Sequence, residues 1–131
     1  MQLFPNLKYN ILGISNELPK WNYNFYNELA KCKMSLNLSR GKPLKYTSSN
    51  RIAALVGNGI FTFIDINTKF NDFFDDNEVG FYKNVDDLGN KIEYLLKYPK
   101  KINEYGKRGK EKYFQLFNNK IITKKIIEKT F

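Results

Sequence analysis

The stretch Lys33–Ile66, KMSLNLSRGKPLKYTSSNRIAALVGNGIFTFIDI, decides how this chain folds. Its opening run, Lys33–Leu38, is apolar enough for a buried strand and closes on Asn37, Ser39, Arg40 and Gly41, a polar and flexible end. Ser48, Ser49 and Asn50 offer N-cap side chains ahead of Arg51–Val56, where Ile52, Ala53, Leu55 and Val56 share one apolar face. A short helix is therefore expected there. Gly57-Asn58-Gly59 supplies residues that tolerate positive φ where that helix must stop. Ile60–Ile66 is β-branched and aromatic, the composition of a strand buried on both faces.

Working outward, Leu7–Ile14 (LKYNILGI) reads as an earlier strand, and Asn22–Lys31 as a helix with Tyr23, Phe25, Tyr26, Leu29 and Ala30 on its apolar side. Strand, helix and strand in that order predict a parallel pair joined by a crossover. Beyond the central stretch, Asn67–Asp76 is acidic, with Phe70, Phe73 and Phe74 at helical spacing, and predicts a short helix or turn. Glu78–Tyr82 is a last short strand. Asn84 then caps a helix whose first turn holds Asp86 and Asp87, and Pro99 ends it. Lys100–Phe117 follows as a second helix, in which Gly106 and Gly109 imply close approach to another backbone. Lys120–Phe131 is a basic amphipathic helix. The expected fold is an α/β, Rossmann-like three-layer domain with a mostly parallel sheet of about four strands and a helical tail.

Composition limits what such a domain can do. With 131 residues the chain is one domain, and 42% hydrophobic and 16% aromatic content argue against disorder. Its net charge of +9 favours anionic partners, although lysines scattered for solubility produce the same sum. Histidine is absent, which excludes Ser-His-Asp and Cys-His catalysis and argues against zinc. Cys32 stands alone, so no intramolecular disulfide forms, as in a reducing cytoplasm. Neither a signal core nor a run of membrane-spanning length occurs.

In an open α/β sheet, ligands bind beyond the carboxyl ends of the strands, where helix N-termini present free N–H groups. A loop carrying Ser39, Arg40, Ser48, Ser49 and Arg51 at that place suits a phosphate. The order LN-S-RG, SS-N-R-I-A, GNG, then a strand ending in Asp65, resembles the donor-binding, C-terminal half of a GT-B glycosyltransferase. More narrowly, it is similar to the "glycosyl transferases group 1" branch related to spore-coat-maturation proteins. NDFFDDNEVGFY, from Asn71 to Tyr82, fits the same pattern, and the resemblance runs from about Tyr9 to the C-terminus. It implies a metal-independent, hexosyltransferase-like enzyme of cell-envelope polysaccharide synthesis, needing no cofactor besides its nucleoside-diphosphate sugar. Such enzymes are cytoplasmic, at times at the inner face of the membrane, and carry an N-terminal acceptor domain that this stretch does not encode. The chain is thus expected to be a fragment or a stand-alone remnant, inactive by itself, whose first residue need not be the true start.

Carried onto this sequence, the donor-binding positions are Asn37, Ser39, Arg40, Ser48, Ser49, Arg51, Gly59 and Glu78. Arg51 is the foremost cation, since a guanidinium grips phosphate bidentately, and its alternative is a structural salt bridge. Arg40 and Lys45 are secondary. Ser48 and Ser49 either donate to phosphate or only cap the helix. Glu78 would accept from a ribose hydroxyl or pair with Arg51. Ala54 stands where many retaining GT-B enzymes carry a ribose-binding glutamate, and no residue is assigned as catalytic base. Two further classes fit the same composition: a basic nucleic-acid-binding module, for which no motif is present, and a peripheral membrane element using Lys120–Phe131.

Overall fold

The computed structural model describes residues 7–9, 18–39, 41–47 and 49–131 of the chain. These divide into two compact units, Met1–Lys33 and Met34–Phe131. In the first, helix α1 (Asn22–Leu29) has no buried residue. The Glu28 carboxylate accepts from Lys20 and Lys31 at 2.9 and 3.0 Å. Of the expected strand Leu7–Ile14, Leu7–Tyr9 are irregular and residues 10–14 lie outside the described residues.

The second unit is an α/β domain built on a three-stranded parallel sheet in the order β1-β2-β3. Its strands are β1 (Met34–Asn37), β2 (Phe61–Asp65) and β3 (Gly80–Tyr82). The fourth expected strand is not among the described residues, because its sequence falls largely outside them. Register aligns Met34 with Phe61 and Asn37 with Ile64, then Phe63 with Gly80 and Asp65 with Tyr82. The central strand β2 is buried from Phe61 to Ile64, as an apolar run flanked on both sides requires.

Helices cover both faces. Ile64 and Phe81 pack with Ile52 and Val56 of α2 (Asn50–Val56) and with Phe70, Phe74 and Val79. On the opposite face, Phe61 and Phe63 meet Leu95 of α3 (Val85–Lys97) and Ile102 of α4 (Pro99–Phe117). Helix α4 serves both clusters. Ile102 and Tyr105 join the Phe61 side, whereas Tyr113, Leu116 and Phe117 join the Ile64 side. Between them, Gly106 lies against the Gly59–Phe61 backbone and Gly109 against the carbonyl of Glu78. Three residues of helix rise about 4.5 Å, close to the ~4.8 Å between neighbouring strands. One glycine therefore meets each strand lead-in, and the expected close approach is found.

Local chemistry sets the remaining boundaries. The Asn84 side chain caps α3 by accepting from the N–H of Asp87, as the sequence predicts. Pro99 does more than end α3; it occupies the first turn of α4, where its missing N–H costs nothing. Where a short helix or turn is expected over Asn67–Asp76, two 3-10 turns form, Ile66–Thr68 and Phe70–Asp72, hinged at Lys69 with φ 60°. Within Gly57-Asn58-Gly59, where α2 stops, Gly57 is right-handed and Gly59 takes the positive φ, at 79°. Ser49 sits at the N-cap of α2, but its hydroxyl makes no cap bond. Helix α5 (Asn119–Thr130) closes the chain.

Candidate functional site at the carboxyl edge of the sheet

The loop after β1 and the start of α2 meet at the carboxyl edge. Asn37, the last residue of β1, is buried, and its side-chain oxygen accepts from Ser49 Oγ at 3.5 Å. The Ser49 hydroxyl thus meets the end of β1 and makes no cap bond to α2. Two residues on, the Arg51 guanidinium donates to the carbonyl of Leu38 at 2.7 Å. Among the described residues no carboxylate pairs with Arg51, so the salt-bridge alternative is not realised. Arg51 is exposed, and a guanidinium has five N–H donors, so the bond to one carbonyl leaves others available. Ser39 is exposed beside it, and Arg40 and Ser48 lie outside the described residues.

Gly59 and Glu78 are placed elsewhere. Both lead into strands of a parallel sheet, so both stand at its amino edge. Glu78 precedes Gly80, which is level with Phe63, whereas Asn37 is level with Ile64. That puts Glu78 about three residues, roughly 10 Å along the strands, from the Asn37 end. Its carboxylate accepts the N–H of Asp75 at 2.9 Å, and it makes no pair with Arg51. Gly59 is engaged by α4. The residues that share the carboxyl edge are therefore Asn37, Ser39, Ser49 and Arg51.

Three groups at that edge were not singled out from sequence. Asp65 ends β2, and its Oδ1 accepts both the N–H and the side-chain amide of Asn67 at 2.8 and 2.9 Å. Its neighbour in register, Tyr82, is half-buried; burial, then the Asp65 charge, pushes its phenol above the usual range. Tyr46, at φ 58°, donates its N–H to Thr68 at 2.8 Å and its hydroxyl to Asp72 at 2.5 Å. Its ring meets Phe73 edge-on at 5.3 Å, with the Lys45 ammonium 4.6 Å from its centroid. The β1–α2 loop is thereby clasped onto the 3-10 turns. The terminal Asp of FTFID was the visible signal for Asp65. A clasp between two loops leaves none.

Cys32 is not an activated thiol: burial and then Glu28 raise its pKa, and its Sγ donates to the Glu28 carbonyl at 3.4 Å. Ala54 carries no acid, and its carbonyl accepts from Asn58 at 2.6 Å. A cavity of about 230 Å3 lies on the Phe61 face, walled by Phe63, Leu95 and Tyr105 with Asp76 and Lys91 at its polar side, and does not include Arg51. Among the described residues no cluster of acidic and cysteine side chains could hold a metal ion. Nor is any helix among them long and apolar enough to cross a membrane.

A three-stranded parallel sheet flanked by helices, with a cation and small polar side chains at its carboxyl edge, defines an α/β domain. The family described as glycosyl transferase-like matches residues 2–128, and the chain belongs to that family. No curated protein and no solved structure matches it.

Proposed function

We propose that this chain is the donor-binding domain of a metal-independent glycosyltransferase and holds a nucleoside-diphosphate sugar at the carboxyl edge of its sheet. Membership of the glycosyl transferase-like family supports transferase chemistry. The single observation that carries the donor reading is the Arg51 guanidinium, anchored to Leu38 beside Asn37 and Ser49 and free of any carboxylate among the described residues. In this reading Arg51 neutralises the diphosphate in the bound donor and again as it departs, when the bond from the anomeric carbon to the phosphate oxygen breaks and the acceptor oxygen takes its place. Ser39 and Ser49 donate to phosphate oxygens, Asn37 orients the sugar or base, and Asp65 accepts from hydroxyls. Helix α2, only seven residues long, contributes little dipole of its own, so the side chain carries the charge. The acceptor, and the base that takes its hydroxyl proton and for which no residue of this chain is assigned, belong to the same proposal, as does the inner-membrane-face location that the resemblance implies.

Calorimetry with UDP, GDP and their sugar conjugates tests it in the presence of EDTA, since no metal is required. Binding should survive chelation, and Arg51→Ala should weaken it by at least about 1.5 kcal/mol, the value of a charged hydrogen bond. Equal affinity of parent and variant would remove Arg51 from the site.

A further inference from the structure

Helix α5 has no buried residue. Ile122, Ile126 and Ile127 are 40%, 58% and 53% exposed, and Phe131 wholly so. At about 100° per residue, Ile122, Ile126, Thr130, Thr123 and Ile127 fall on one arc of roughly 140°. Half-buried Ile121 lies on the opposite side. Lys125 and Lys129 border that arc on one flank, Lys120 and Lys124 on the other. Glu128, the one acid of the helix, sits at the back, 3.8 Å from Lys124. The helix is set at an angle by Asn118, whose amide donates to the Phe114 carbonyl while its oxygen accepts from the Ile121 N–H.

Isoleucines left in water with lysines along both borders are poorly matched to a purely apolar protein groove, which would strand four ammonium groups at its rim. A lipid surface resolves both. The isoleucines enter the acyl boundary, the lysine stems lie along it, and the ammonium groups rise to lipid phosphates. Four lysines against one glutamate, on a chain of net charge +9, select an anionic surface over a neutral one. We infer that α5 seats this chain in the plane of an anionic lipid membrane through its Ile122–Ile126–Ile127 arc. The inference is independent of donor binding at Arg51.

Sedimentation of the full chain with vesicles tests it, comparing pure phosphatidylcholine with phosphatidylcholine containing a minority of phosphatidylglycerol. The chain should pellet with the anionic vesicles and not the neutral ones, and high salt should release it. Ile126→Asp and Ile122→Asp, at exposed positions and with unchanged circular dichroism, should each weaken partition at least about tenfold, the weight of one large apolar side chain leaving water. Lys124→Glu with Lys125→Glu should weaken it similarly. Three results would overturn the inference: no pelleting; pelleting that the isoleucine variants leave intact, which is general adsorption of a cationic chain; or a concentration-dependent dimer abolished by Ile126→Asp without vesicle binding.

Discussion

A Cβ on Gly106 would stand 2.2 Å from the carbonyl oxygen of Gly59, with the Phe61 nitrogen at 3.2 Å. Neither neighbour is a side chain that can swing aside; both are backbone at the lead-in to β2. Gly106→Ala should therefore destabilise the domain by about 2–3 kcal/mol through forced separation of α4 from the sheet, outweighing a helix-propensity gain of about 1 kcal/mol. Gly109→Ala, whose Cβ would lie 2.3 Å from the Glu78 carbonyl oxygen, should behave alike. Urea unfolding midpoints of the two variants check this, and a midpoint at or above the parent's would contradict it.

Arg51 offers a sharper test than truncation alone. Arg51→Lys keeps the charge but loses the planar fork that binds phosphate at two points. Nucleoside-diphosphate affinity should fall in the order arginine, lysine, alanine. The ligand-free melting temperature should move little, because the lost hydrogen bond to Leu38 is exposed and is worth about 1 kcal/mol or less. Thermal shift with and without UDP or GDP separates the two effects.

Asn118 caps two helices with one side chain, donating to the end of α4 and accepting from the start of α5. Asn118→Ala should cost about 1 kcal/mol. Amide hydrogen exchange of Ile121 should accelerate with it, whereas exchange in β2 should follow only the global change.

Tyr82 ties stability to alkaline pH. Its phenol is held above the ordinary tyrosine range, first by burial and then by Asp65. The folded state thus keeps this proton where the unfolded chain releases it. The contribution is fully present below about pH 10, the unfolded tyrosine value, and is lost as pH rises through the folded value. Lys101, raised chiefly by its hydrogen bond to Tyr94, pushes in the same direction. Tyr82→Phe should flatten the decline in denaturation midpoint measured upward from pH 9, and an unchanged slope would show that Tyr82 contributes nothing to it.

What could be read from sequence, and what could not, follows from how local each signal is. β2 and α3 announce themselves because an unbroken apolar run and an Asn-capped, acid-led helix are short-range patterns, and both are found within a residue of expectation. The meaning of Gly106 and Gly109 was legible too, since a helix keeps such residues only for a close neighbour. Glu78 and Gly59 stand apart from Asn37 and Arg51 for a reason already in the sequence: in a parallel sheet, residues preceding a strand lie at its amino edge. Proximity along the chain to a binding motif does not overcome that polarity. The Tyr46 clasp on Thr68 and Asp72 had no precursor signal, because it joins loops more than twenty residues apart and rests on a left-handed tyrosine. Ser49 likewise makes no cap bond and instead contacts Asn37, a partner twelve residues away that no local pattern announces.

The passage of α4 from one face of the sheet to the other bears on synthesis. β2 is complete at Asp65, but Phe117, which closes the Ile64 face, is translated 52 residues later (117 − 65). At ribosomal rates of 5–20 residues per second that gap lasts roughly 3–10 seconds. Throughout it FTFI, an uncharged β-prone segment, waits on the nascent chain with its cover incomplete, and is the place where chaperone capture or aggregation would begin.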